Sequence, residues 1–133
     1  MGKRKITVVS AAIERDGCYL ITQRNEHAVL PLLWEFPGGK VEPGETDEAA
    51  LARELKHRLG INVEVWERLS STEREYDTYT VVLHLYRCDL GHDDPRPLSV
   101  RDMRWVSSSE FDRYKFTPAD KKSMDALLFS GPA

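Results

Sequence analysis

The stretch Asp47–Leu59, "DEAALARELKHRL", constrains this chain more than any other. Leu51, Leu55 and Leu59 recur at i, i+4 and i+8, which lays one apolar stripe along a helix. Thr46 stands where an N-cap acceptor is wanted, Asp47 and Glu48 fall at the positive end of the helix dipole, and Gly60 permits the left-handed residue that stops a helix. A helix with both ends specified and one apolar face has to bury that face against another layer.

The flanking sequence supplies strands for that layer. "KITVVSAAIE" and "CYLITQR" surround "RDG" and read as a hairpin through an Asp-Gly turn. The loop "NEHAVLPLL" leads to the short aromatic strand "WEF", which "PGG" ends as a tight turn. "NVEVWERLSSTEREY" and "YTVVLHLYRC" read as a second strand pair, with Val81, Leu83 and Leu85 on one face and Val82, His84 and Tyr86 on the other. After the polar loop "GHDDPRP", "RDMRWV" reads as a strand. "TPADKKSMDALLF" reads as a closing helix, with Thr117 as cap and Pro118 at its first position. Strands and helices interspersed without a repeating unit predict an α+β (mixed α/β) chain forming a single domain over residues 1–133.

A net charge of −3 gives no basic field, which disfavours a nucleic-acid partner and favours a small ligand. Cys18 and Cys88 lack the paired spacing of a zinc or redox motif and read as buried, reduced thiols. The opening "MGKRKITVVSAA" imitates a signal peptide, but Glu14, Arg15 and Asp16 follow at once, so it reads as a first strand. No run reaches membrane-spanning length, and a cytoplasmic protein without a membrane partner is expected. Nothing in the pattern fixes an oligomeric state.

Gly39, Glu45, Arg53, Glu54, Leu55, Gly60 and Ile61 match, at the right spacing, the signature G-x5-E-x7-R-E-U-x-E-E-x-G-U of the Nudix family, U being aliphatic. "WEFPGGKVEPGET", "MRWV" and "FTPAD" extend the resemblance along nearly the whole chain, toward the MutT-like nucleoside triphosphate pyrophosphohydrolase subfamily. The resemblance implies a Nudix fold, an α/β/α sandwich around a mixed β-sheet. It implies a loop-helix-loop that holds Mg2+ or Mn2+ against a pyrophosphate, so that water attacks phosphorus and a nucleoside monophosphate and pyrophosphate leave. It places Glu54, Glu45 and Arg53 in the catalytic apparatus, with Glu45 and Arg53 paired to brace the loop. Gly39, Glu54 and position 57 become the metal-binding set, Arg24 lies near the substrate phosphates, and Asp120 reads the base edge.

The chain departs from that signature in "KHR". Glu54, His57 and Arg58, at i, i+3 and i+4, project from one side of the helix, where magnesium would want hard oxygen ligands. The signature has glutamates at positions 57 and 58. Two carboxylates (−2) give way to a neutral His57 and a cationic Arg58 (+1), a change of +3. A guanidinium about 5 Å from a divalent ion, at an effective dielectric near 20, is repelled by roughly 6 kcal/mol. Millimolar ion binding is worth only about 4 kcal/mol.

Three readings of "KHR" follow. Arg58 pairs with Glu54 as ordinary helix-end chemistry; or it clamps a phosphate by bidentate hydrogen bonds; or Glu54 and His57 together hold a softer ion, manganese or zinc. A further glutamate of the subfamily falls near Ser99 in this chain, where Asp102 would partly compensate. Phe36 and Tyr76 either stack on the base or pack in the core, and Asp120 either reads the base or completes a capping box with Thr117. His84 reads as a half-buried sheet residue, while His27 and His92 lie in loops.

The leading expectation is a protein that binds a nucleoside triphosphate, or a nucleobase, with its metal-dependent hydrolysis weakened or lost. The alternatives are a working pyrophosphohydrolase and a non-catalytic regulatory or interaction module, including a reader of damaged bases.

Overall fold

The computed structural model describes residues 3–129; Met1 and Gly2, with which the signal-like opening begins, and residues 130–133 lie outside the described residues. At the Asp-Gly turn, Asp16 (φ 53°) and Gly17 (φ 79°) both take positive φ, the requirement of a tight hairpin. They fold β1 (Arg4–Arg15) back on β2 (Cys18–Gln23), with Arg15 opposite Cys18.

β1 is the spine of one mixed sheet of seven strands. Along one edge it runs parallel to β6 (Tyr79–Asp89), in register from Arg4 opposite Tyr79 to Ile13 opposite Cys88. β5 (Glu64–Glu75) lies antiparallel outside β6, with register shifts around Arg68. β3 (Trp34–Glu35) and β7 (Asp102–Val106) both pair antiparallel with β2.

The segment after "WEF" is more than a turn. Gly38–Lys40 forms β4, antiparallel to Val8–Ser10 of β1, a strand the sequence does not announce because two of its three residues are glycines. Glycine is needed there: a Cβ on Gly38 would lie 1.9 Å from the Val9 carbonyl oxygen.

Alternation along β1 sends its side chains to two cores. Val9, Ala11 and Ile13 pack with Leu51, Leu55 and Leu59 of α1 (Asp47–Leu59). Ala12 faces the opposite side, with Leu85, Phe36, Phe111 and Phe116. That side is covered by the 3-10 helix Ser108–Arg113 and by α2 (Pro118–Phe129), giving the expected α/β/α layering. Each fully buried leucine of the α1 stripe contributes about 1.5–3 kcal/mol. The 3-10 helix has no sequence forecast, since its six residues bury only Phe111 and are too few for an apolar stripe.

The caps of α1 follow the sequence. Thr46 accepts from the Ala49 N–H at 3.1 Å, and Gly60 closes the helix at φ 68°, its N–H donating to the Lys56 carbonyl at 3.0 Å. Burial pushes the Cys88 thiol up to about 12, the state of an inert core thiol. Cys18, expected to be buried, is only half-buried near the hairpin turn. Among the described residues no helix is long and apolar enough to cross a membrane.

Candidate functional site

β4 delivers Gly39 against α1 so closely that a Cβ there would meet the Glu54 carboxyl carbon at 2.3 Å. Glu54 is 8% exposed, and each of its oxygens is taken by a guanidinium. Arg53 Nη1 donates to Oε1 at 2.7 Å, and Arg58 Nε donates to Oε2 at 2.7 Å. Burial raises the Glu54 carboxyl, but the hydrogen bonds from Arg58 and Arg53 outweigh it and hold the group below the usual carboxylate range.

Arg53 also grips the loop ahead of the helix. It donates to both Glu45 oxygens at 2.8 and 3.0 Å, and to the Lys40 carbonyl at 2.9 Å. The bonds from Arg53, with one from the Glu42 N–H, hold the Glu45 carboxyl at about 2.

Beside this knot lie two cavities of about 260 and 240 Å3, the first of mixed lining and the second polar, that share Arg24, Glu35 and Arg58. A third, more apolar cavity of about 440 Å3, walled by Tyr76, Tyr79 and Leu83, meets the first at Arg24, Glu35, Lys40 and Asp120. One continuous cleft therefore runs from the C-terminal turn of α1 to the start of α2.

Arg24, the residue after β2, donates Nε to the Val29 carbonyl at 2.6 Å and Nη1 to Glu35 at 3.1 Å. Burial raises the Glu35 carboxyl despite the opposing charges of Arg24 and Arg58. Glu35 is the residue that sequence reasoning missed; the available signal was a lone carboxylate inside the apolar run "LLWEF".

Asp120 is bonded to two segments at the start of α2. Its N–H donates to Thr117 Oγ1 at 3.2 Å, so Thr117 does cap α2, and the Thr117 hydroxyl donates to Asp120 Oδ2. The Thr117 N–H, however, goes to the Trp34 carbonyl, so the box is not closed by Asp120. Asp120 Oδ1 instead accepts from the Phe36 N–H at 3.0 Å, facing the cleft beside Glu35. Burial first, then the charge of Glu35, pushes the Asp120 carboxyl up to about 7.

The two candidate stacking residues part company, and His84 takes a structural place. The Phe36 ring is 2% exposed and packs against Phe111 and Phe116 at 5.8 and 5.7 Å, so it belongs to the core and offers no face to a base. Tyr76 stacks on Tyr79 (4.9 Å, 21°) on the wall of the apolar cavity. His84, on the α1 face of the sheet, lies 2.7 Å from Asp47, which also accepts from the Tyr86 hydroxyl; the group ties the start of α1 to β6.

The residues present do not fit a divalent ion held in hard oxygen ligands. His57 is exposed and turned to Ser99, with Nε2 3.4 Å from Oγ, and lines the second cavity together with Arg58, whose Nε folds back on Glu54. Asp102, at the start of β7, accepts from the Met103 N–H and from Arg104 on Oδ1 alone, and it does not line the two cavities beside Glu54. Among the described residues no three His, Cys, Asp or Glu side chains converge as a ligand set.

Residues 8–126 match the NUDIX domain family. The chain is 38% identical over 125 residues to the CTP pyrophosphohydrolase of Escherichia coli (strain K12), covering 94% of this chain and 93% of that one. It is 36% identical over 130 residues to the 8-oxo-dGTP diphosphatase of Haemophilus influenzae, covering 94% and 93%. The solution structure of the E. coli ORF135 protein superposes with a TM-score of 0.86 at 36% identity, over 98% of this chain and 96% of that one. A MutT NUDIX hydrolase from Burkholderia pseudomallei superposes at 0.85 with 25% identity, over 94% and 99%.

Proposed function

This chain belongs to the NUDIX domain family, and from that premise we propose that it binds a nucleoside triphosphate while its metal-dependent pyrophosphohydrolysis is greatly weakened or lost. The observation that carries the reading is the double capture of Glu54 by Arg53 and Arg58. Each Glu54 oxygen keeps a further lone pair, but an ion ligated there would sit beside two guanidinium charges that repel it.

The phosphates lie at the Gly39 and α1 end of the cleft, within reach of Arg24 and Arg58. The base lies at the Asp120 end, against Tyr76 in the apolar cavity. Burial and the charge of Glu35 push the Asp120 carboxyl toward its protonated form, which would let it donate to a base edge, with Glu35 beside it as a second carboxyl. Arg53 and Glu45 serve as a brace that keeps β4 against α1.

A second reading, a working hydrolase, is favoured by relatives named for pyrophosphohydrolase and diphosphatase activity. A pyrophosphate-release assay over a nucleotide panel that includes CTP and 8-oxo-dGTP, with Mg2+ and with Mn2+, separates the two. Binding without release supports the proposal. Turnover within about tenfold of ordinary family members, a barrier difference of about 1.4 kcal/mol, contradicts it.

A further inference from the structure

We propose that Arg58 stands in for the cation, so that the cleft takes a polyphosphate directly and free Mg2+ competes for the ligand instead of assisting it. This rests on the nucleotide-binding reading above and gives its ion dependence a sign opposite to that of a metal-bridged complex.

Arg58 sits where the first two cavities adjoin, 31% exposed. Among the described residues only its Nε is used, and neither Nη group has an acceptor. The guanidinium is nonetheless held, because the Glu54 oxygen that fixes it belongs to a carboxylate anchored on its other side by Arg53. A held fork with its outer donors open is the geometry that matches two oxygens of one phosphate.

Arg24 lines both of the same cavities, with Nε and Nη1 engaged and Nη2 without a protein acceptor among the described residues. Lys40 adds a third cation to the wall of the first cavity. The negative end of α1 opposes an anion here, but a solvent-screened dipole end is weaker than two charge-assisted donors. Magnesium in solution chelates a polyphosphate and cancels the charge these side chains read, so excess ion weakens the complex.

The test is calorimetric titration of the whole chain with inorganic tripolyphosphate and with a nucleoside triphosphate, each in EDTA and in excess Mg2+. Both ligands are expected to bind in EDTA, with Mg2+ weakening each about tenfold or more. Arg58→Ala should weaken tripolyphosphate binding in EDTA roughly 10- to 100-fold, the loss of charge-assisted donors. Arg58→Lys, which keeps the charge without the fork, should fall between and guards against misfolding of the alanine variant.

Binding of tripolyphosphate only in Mg2+, or an Arg58→Ala chain with a wild-type circular dichroism spectrum and unchanged affinity, overturns the inference. A nucleotide that binds with Mg2+ while tripolyphosphate is ignored in EDTA removes this inference and leaves nucleotide binding intact. Tripolyphosphate binding that needs Arg58 but gains nothing from an attached nucleoside does the reverse. No binding of either ligand in either buffer overturns both.

Discussion

Arg58 donates to Glu54 at 2.7 Å across one turn of α1. The carboxylate that the signature keeps is therefore held by a residue at one of the two positions where the signature has further carboxylates. Most of the chemistry of this cleft follows from that pair and from Arg53 on the other side of it.

The packing of β4 predicts an order of damage. Alanine at Gly38 drives its Cβ into the Val9 backbone, whereas alanine at Gly39 meets the Glu54 side chain. Gly38→Ala should cost more than Gly39→Ala, each on the order of 1–3 kcal/mol or above. Urea midpoints of the two variants decide it, and the opposite order contradicts the description of β4.

The Asp120 carboxyl predicts a pH dependence with a fixed sign. Its folded value of about 7 lies above the usual 3.8, so between these the folded chain keeps a proton that the unfolded chain has lost, and stability falls as pH rises through that window. Glu35, also raised, adds the same sign. Glu45 and Glu54, both lowered, act oppositely below the usual 4.5, where stability is lost as pH falls. Asp120→Asn keeps an oxygen for the Phe36 N–H and should flatten melting temperature against pH from about 4 to 8. An unchanged slope contradicts the assignment.

Tyr76 separates base from phosphate. If the apolar cavity takes the base, Tyr76→Ala should weaken nucleoside triphosphate binding by about 1–3 kcal/mol, the worth of one base-aromatic stack, and leave tripolyphosphate affinity unchanged. Equal losses for both ligands would place Tyr76 in the scaffold instead.

The cap of α1 is a local contribution. Thr46→Ala removes the acceptor for the Ala49 N–H and should destabilise the chain by about 1 kcal/mol in chemical denaturation. A neutral result would mean that tertiary packing alone fixes this helix end.

What was legible in the sequence was local. Thr46, the leucine stripe and Gly60 specify α1 by spacing alone, and the Asp16-Gly17 turn specifies the first hairpin. β4 was hidden because two glycines in three residues carry no alternation. Phe36 was ambiguous because its face depends on how the short segment "WEF" meets β2, which only the assembled sheet fixes. The facing of Asp120 and Glu35 arises from tertiary contact: the bond from the Phe36 N–H to Asp120 spans 84 residues of chain. The place of Asp102 depends on where β7 lies in the sheet: it sits at that strand's start, bonded through Oδ1 to Met103 and Arg104, and outside the lining of the two cavities beside Glu54.

The most direct measurement is Mn2+ binding by electron paramagnetic resonance, on the wild-type chain and on the His57→Glu/Arg58→Glu double variant. If Arg58 holds the ground of the divalent ion, the wild type leaves Mn2+ free at about millimolar concentration and the double variant binds it at least about tenfold more tightly. Wild-type binding equal to that of the double variant would contradict the central claim.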